Sequence, residues 1–157
     1  MILIIGYGNS LRGDDAVGLQ IAQAMSQSLK SSDIHVLIAN QLMPELVDPI
    51  HTAALVVFID ACIGSVPGEV RHENVEPQEE VGSFTHNVSP ASLLGAARSL
   101  YGTVPAGVLI SIVGSQFNYA CELSPELQRR LPNITDQVKE IIASSAKVQV
   151  YEEFEHA

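Results

Sequence analysis

Short apolar runs alternate along the chain with segments that carry an apolar residue at about every fourth position. The runs predict buried strands, because a strand that is covered on both faces is hydrophobic throughout. These predicted strands are Ile2–Tyr7, His35–Ala39, Ala54–Ile59 and Gly107–Val113. Ala54–Ile59 is continuously apolar, which is typical of a central parallel strand. Glu69–Val75, inside a polar connection, is predicted to be a further strand.

The fourfold spacing predicts helices with one buried face. Ser89-Pro90 and Ser124-Pro125 each combine a capping serine with proline at the first helical position, which predicts two helix starts. Pro132 is expected to break or kink the second of these helices. The other two predicted helices are a long one that begins at Asp14 and Asp15, whose carboxylates are expected to cap it, and a short one over Glu45–Thr52.

Strands and helices that alternate with short turns favour an α/β fold, a three-layer sandwich with a mostly parallel twisted sheet flanked by helices. The length of 157 residues fits a single domain over residues 1–157. With 46% hydrophobic and 17% charged residues, the composition excludes intrinsic disorder. No apolar stretch is long enough for a membrane span, and no basic segment precedes the first strand. A cytoplasmic protein without a secretory signal is therefore expected.

The charge and the cysteine content exclude further classes of protein. Eighteen acidic residues against eight basic ones give a net charge of −10, which disfavours nucleic acid and anionic membranes as partners. Two cysteines, Cys62 and Cys121, do not form a disulfide framework or a zinc-finger spacing. A globular enzyme or a binding domain remains.

Three polar features follow predicted strands or precede a predicted helix, where α/β proteins place their functional residues. They are the loop Gly8–Asp15, then Asp60 directly after the central strand, and finally Thr85-His86-Asn87. The loop does not favour a nucleotide, because Leu11 occupies the third position of the dinucleotide-binding glycine pattern. The acidic pair would also repel a pyrophosphate at the start of the helix.

Carboxylates and an imidazole on neighbouring loops instead form a ligand set for a divalent metal such as Ni²⁺ or Zn²⁺. Three protein ligands would leave a coordination position open for chemistry. Each residue also has an ordinary explanation: Asp60 fits a turn after a strand, and His86 fits a packing role. Cys62 and His72 are the alternative ligands if His86 is not one.

The segment from Ile5 to Gly18 (Ile-Gly-Tyr-Gly-Asn-Ser-Leu-Arg-Gly-Asp-Asp-Ala-Val-Gly) closely resembles the opening motif of the hydrogenase maturation proteases. The resemblance continues through Phe58-Ile59-Asp60-Ala61 and through His86 and the leucine-containing helix that follows it. It implies an aspartic-type endopeptidase that removes a C-terminal extension from the large-subunit precursor of a [NiFe]-hydrogenase after nickel insertion.

Residue by residue, the resemblance implies that Asp15, Asp60 and His86 contact nickel and take part in catalysis. It also implies that the nickel ion is supplied by the precursor and that no nucleotide is needed. The stretch Gln-Leu-x-Pro-Glu, which contains Gln41 and Glu45, looks like the branch that serves cytoplasmic bidirectional NAD(P)-linked hydrogenases. Gln41 and Glu45 are therefore expected to select the substrate, although Glu45 equally fits an acid in the first turn of a helix.

Two other functions compete with this hypothesis. A nickel carrier or sensor without hydrolytic activity would hold the metal by itself, although the chain has no histidine-rich tract. A flavodoxin-like nucleotide-binding domain would share only the fold class.

Overall fold

The computed structural model describes residues 1–79 and 87–155. In chain order the elements are β1 (Ile2–Tyr7), a 3₁₀ turn (Gly13–Ala16), α1 (Val17–Ser28), β2 (Ile34–Ala39), a 3₁₀ turn (Pro44–Leu46), α2 (Val47–His51), β3 (Leu55–Ile63), β4 (Val70–Asn74), α3 (Pro90–Tyr101), β5 (Ala106–Gly114) and α4 (Pro125–Glu155). The strands and helices predicted from the apolar pattern are all present.

The five strands form one sheet in the order β2-β1-β3-β5-β4. Strands β1, β2, β3 and β5 are parallel, and β4 runs antiparallel along the edge of β5. Two apolar clusters cover the two faces of the sheet. Residues of α1 and α4 contribute to one cluster, and residues of α2 and α3 contribute to the other. The predicted three-layer α/β sandwich is confirmed.

The central strand β3 is longer than the sequence predicts. Its apolar part ends at Ile59, but the parallel ladder with β5 continues from Asp60, opposite Ser111, to Ile63, opposite Gly114. The expectation that Asp60 directly follows the strand is therefore wrong. The ladder with β1 ends at Ile59, so the last part of β3 is less covered and polar side chains are tolerated there.

Helix α4 continues through Pro132 without a break, contrary to the expected interruption. Proline removes one N–H from the helical ladder, the one that would donate to the Gln128 carbonyl. Both residues lie on the exposed side of the helix, so the lost hydrogen bond is not buried. Although α4 has 31 residues, no helix within residues 1–79 and 87–155 is long and apolar enough to cross a membrane.

The structure confirms the predicted cap of α3 and contradicts the predicted caps of α1. Ser89 forms a reciprocal capping box with Ser92 at the start of α3, as Ser89-Pro90 predicts. At α1, by contrast, neither Asp14 nor Asp15 caps the helix, because both lie in the 3₁₀ turn that precedes it. Their carboxylates bind other parts of the chain.

Asp14 is completely buried and joins two loops that are far apart in sequence. Its Oδ2 accepts hydrogen bonds from the backbone N–H groups of Ser115 (2.8 Å) and Gln116 (3.0 Å), and its Oδ1 accepts one from Ser124 (2.7 Å). Burial by itself raises the pKa of Asp14, but these N–H donors outweigh it and the net pKa is lowered. Asp14 is therefore a structural carboxylate and the ionised form is the one that the fold stabilises.

We expect Asp14→Asn to lower the free energy of unfolding at pH 7 by roughly 2–4 kcal/mol, because an amide group would face N–H donors. Since the folded pKa is lowered, the wild-type advantage is present above the unfolded pKa and disappears as the pH falls through the folded value. Urea unfolding at pH 7 and at acidic pH measures both effects. Asp33→Asn, at an exposed position, is the matched control and is expected to change little.

Candidate active site

A cleft of about 670 Å³ lies at the carboxyl ends of the parallel strands. It is formed by the end of β1, the first 3₁₀ turn, β3, the segment after β2 and the residues before α3. The lining residues are Tyr7, Gly8, Asp15, Asn40, Gln41, Leu42, Met43, Pro44, Glu45, Asp60, Asn87 and Val88. The structure therefore brings Asp15, Asp60, Gln41 and Glu45 to one cleft, as the sequence predicts.

Asp15 is held in place by the glycine loop before it. Gly8 adopts a φ of +150°, and a Cβ atom there would lie 1.9 Å from the Asp15 carbonyl oxygen. Only glycine therefore allows the loop to pass so close to Asp15. The backbone N–H of Asn9 then donates to Asp15 Oδ2 at 2.7 Å, which fixes one carboxylate oxygen and leaves the other available to the cleft.

Close packing of α1 against the sheet places Asp15 near Asp60. A Cβ atom on Gly18 would lie 2.3 Å from the carbonyl oxygen of Ile59, the residue before Asp60. The absence of a side chain at Gly18 therefore lets the helix approach the central strand. Gly8 and Gly18 thus allow the elements that carry Asp15 and Asp60 to lie close together.

Asp60 is half-buried on β3, and its Oδ1 accepts a hydrogen bond from the backbone N–H of Ala61 at 2.7 Å. The pKa of Asp60 is raised to about 6: burial is the main cause and the negative charge of Asp15 adds to it, whereas hydrogen bonds from Ala61 and the Tyr7 hydroxyl partly oppose the increase. A carboxyl group with this pKa exchanges protons near neutral pH. It therefore suits acid–base chemistry.

Tyr7 is a residue of the site that sequence reasoning missed. Burial raises the pKa of its phenol first, and the charge of Asp60 and a hydrogen bond to that carboxylate raise it further, so the hydroxyl remains a donor. The signal available in the sequence was the position of Tyr7 between two glycines at the end of a strand. Asn9 was also missed, because its contribution to Asp15 comes from the backbone.

The structure describes two of the three metal ligands expected from the sequence, Asp15 and Asp60. His86 lies outside the described residues, although Asn87 and Val88, which follow it, line the cleft. Among the residues that the structure describes, no three His, Cys, Asp or Glu side chains come close enough together to hold a metal ion. Of the three expected ligands, the structure therefore places Asp15 and Asp60 in the cleft.

The alternative ligands differ in their distance from this cleft. His72 lines a separate cavity at the opposite end of the parallel strands, where they begin. Leu55 and Ala106, the first residues of β3 and β5, line the same cavity. Cys62 lies closer, since it lines a neighbouring cleft that also contains Asp15. Burial raises the pKa of the Cys62 thiol, so the thiol is protonated at neutral pH.

Gln41 and Glu45 line the same cleft, in the segment after β2. Both are exposed, and the Gln41 side-chain nitrogen donates to Met43 Sδ at 3.3 Å. Glu45 also lies in the first turn of the 3₁₀ segment, so both explanations of this residue remain compatible with its position. None of the described hydrogen bonds joins either side chain to Asp15 or Asp60.

No protein-family model matches the chain, and no curated protein gives a significant match to it by sequence. Solved structures do match. The hydrogenase maturating endopeptidase HybD from E. coli has 24% identity and a TM-score of 0.72, with 92% of this chain and 93% of that chain covered. The [NiFe] hydrogenase maturation protease HycI from Thermococcus kodakarensis KOD1 has 28% identity and a TM-score of 0.69, with coverage of 90% and 92%.

A hydrogenase 2 maturation peptidase from a Thaumarchaeota archaeon adds a third example, with 21% identity, a TM-score of 0.67 and coverage of 90% and 97%. The chain thus has the α/β fold that these solved structures share. Its structural neighbours are hydrogenase maturation proteases, in agreement with the resemblance that the sequence motifs carry.

We expect Asp60→Asn to raise the free energy of unfolding by about 1–2 kcal/mol at pH 8, a value reduced for solvent screening of this half-buried group. The pKa of Asp60 is raised from its ordinary value of 3.8 to about 6. Folding is therefore disfavoured as the pH rises through this interval, and asparagine removes that cost.

Urea unfolding at pH 4 and pH 8 tests this effect, since the gain should be nearly absent at pH 4. If Asp60→Asn were less stable than the wild type at pH 8, the Asp60 carboxylate would stabilise the fold. That result would contradict the expectation that its negative charge destabilises the folded state.

Proposed function

We propose that the protein is an endopeptidase that removes the C-terminal extension of a [NiFe]-hydrogenase large-subunit precursor after nickel has been inserted. The observation that carries the proposal is the juxtaposition of Asp15 and Asp60 in an open cleft, with the pKa of Asp60 raised to about 6. The cleft belongs to a fold whose solved examples are named as hydrogenase maturation proteases.

The two carboxylates have distinct tasks in this proposal. Asp15, whose Oδ2 accepts a hydrogen bond from the Asn9 N–H, contacts the nickel of the precursor. Asp60, ionised over most of the neutral range, also contacts the nickel at first and, once displaced from the metal, removes a proton from the attacking water. The Tyr7 hydroxyl donates to the Asp60 carboxylate and orients it. The activity is aspartic-type only in the sense that both groups are aspartates, since no shared-proton dyad is required.

Nickel belongs to the substrate in this proposal. Two carboxylates, with His86 as a third ligand, form a set without thiolates, and such a set binds Ni²⁺ exchangeably. The precursor then contributes the remaining ligands, so that cleavage depends on a loaded substrate. A carrier or sensor would need a self-sufficient site, which the described residues do not provide.

The segment 40–45 supports a proposal about substrate choice. It forms a wall of the cleft next to the two aspartates, where an incoming protein must pass. Because its sequence looks like the branch for bidirectional NAD(P)-linked hydrogenases, we assign the precursor to that class and the protease to the cytoplasm.

Asp15→Asn and Asp60→Asn are each expected to lower the cleavage rate of nickel-loaded precursor by roughly 10³-fold or more, because each removes a charge that contacts the reacting groups. The measurement follows the mass of the large subunit over time with purified components. Nickel-free precursor should remain uncut by the wild type. Asp33→Asn is the surface control, and normal activity of either site variant would contradict the proposed roles.

Gln41→Ala is expected to raise KM for the cognate precursor about tenfold with little change in kcat, because the residue contacts the substrate away from the reacting bond. Competition between two large-subunit precursors of different hydrogenase classes measures the change in preference. If the variant discriminates between the two as the wild type does, Gln41 has no part in substrate choice.

A further inference from the structure

The end of the central strand has an unpaired edge beside the two aspartates. Strand β1 pairs with β3 only as far as Ile59, whereas β5 pairs with it as far as Ile63. No strand within residues 1–79 and 87–155 covers the other side of β3 beyond Ile59. A short length of the most central strand in the sheet is therefore open on one side.

The hydrogen-bonding direction of the open residues follows from the ladder with β5. The N–H of Ala106 donates to the carbonyl of Ala54, so even-numbered residues of β3 direct their main-chain groups toward β5. Ala61 and Ile63 direct theirs to the opposite side. In agreement with this, the N–H of Ala61 donates to Asp60 Oδ1 and not to a strand. Ile63 is 84% exposed, and its N–H takes part in none of the described turn and loop hydrogen bonds.

A groove of about 320 Å³ runs along this edge. Ala61, Cys62 and Ile63 form one wall, and Arg12, Phe117 and Asp15 form the other. The Nε of Arg12 donates to the Phe117 carbonyl at 3.4 Å, which holds the second wall together. Asp15 lines both this groove and the larger cleft with Asp60, so the two lie on either side of one residue.

We infer that this edge binds the precursor, with an extended segment next to the scissile bond adding as a short strand to Ala61–Ile63. With the Ala61 N–H bonded to Asp60, the Ala61 carbonyl and the Ile63 N–H and carbonyl remain on this side, and another extended main chain matches them best without side-chain pockets. At about 3.3 Å per residue, the edge accommodates roughly three residues of the segment and leads them to Asp15 and Asp60. The inference rests on the proposed function, since it assigns the peptide subsite of the same active site.

Ile63→Pro tests the main chain alone, because proline removes the exposed N–H without touching the bonds to β5. We expect it to raise KM for nickel-loaded precursor about tenfold, which corresponds to the loss of one hydrogen bond. Ile63→Ala keeps the N–H and should cause a clearly smaller change. Equal rates for the two variants, both with wild-type melting temperatures, would overturn the inference and leave the proposed function intact.

A second experiment uses the wild-type protein, so it does not depend on the folding of a variant. Proline is placed at successive positions of the precursor segment on both sides of the cleavage site. Pairing with a strand edge predicts that every second position is sensitive, since alternate N–H groups face β3. Uniform tolerance, or sensitivity only at the two residues of the cleaved bond, would contradict it.

Two further outcomes would also overturn the inference. If the wild type does not cleave loaded precursor at all, the proposed function and the subsite fail together. If sedimentation shows a dimer that Ile63→Pro dissociates, the edge pairs with a second copy of the chain and not with the substrate.

Discussion

The buried carboxylate of Asp14 connects the turn that carries Asp15 to the loop between β5 and α4. It accepts three backbone hydrogen bonds from the segment after β5 and the start of α4, while its own turn carries Asp15. Two main-chain bonds beside it, from Gly13 to Ala120 and from Asp14 to Gln116, complete the connection. A buried charge with this many donors is stable, whereas any loss of donors would be costly. The position of Asp15 depends on it.

The carboxylates of Asp14 and Asp60 therefore have opposite effects on the fold. The lowered pKa of Asp14 reflects a group that stabilises the fold in its charged form. The raised pKa of Asp60 reflects a group whose charge the fold tolerates at a cost, with Asp15 adding repulsion. Stability and chemistry are thus assigned to different carboxylates within one small region, and the small residues Gly8 and Gly18 allow these elements to approach.

The apolar pattern predicted the sheet and helices well, because the spacing of apolar residues within a short segment indicates which of its positions are buried. It failed in β3, where the strand continues after burial ends at Ile59, and in α4, where the helix continues through Pro132 to the buried residues Ile134 and Val138. The role of Asp14 could not be predicted, since its partners Ser115 and Ser124 lie 101 and 110 residues away. The motif indicated Asp15 and Asp60 correctly as neighbours, whereas Tyr7 emerged only from the geometry.

The central claim is that the enzyme recognises nickel that the precursor already holds. The most direct measurement is cleavage of nickel-loaded precursor by protein that has been dialysed against a chelator and then freed of it. We predict an unchanged rate, because in the proposed function the nickel enters with the precursor and Asp15 and Asp60 hold no metal of their own. Loss of activity that is restored only when metal is added back to the enzyme would contradict this account and would identify a conventional metalloprotease.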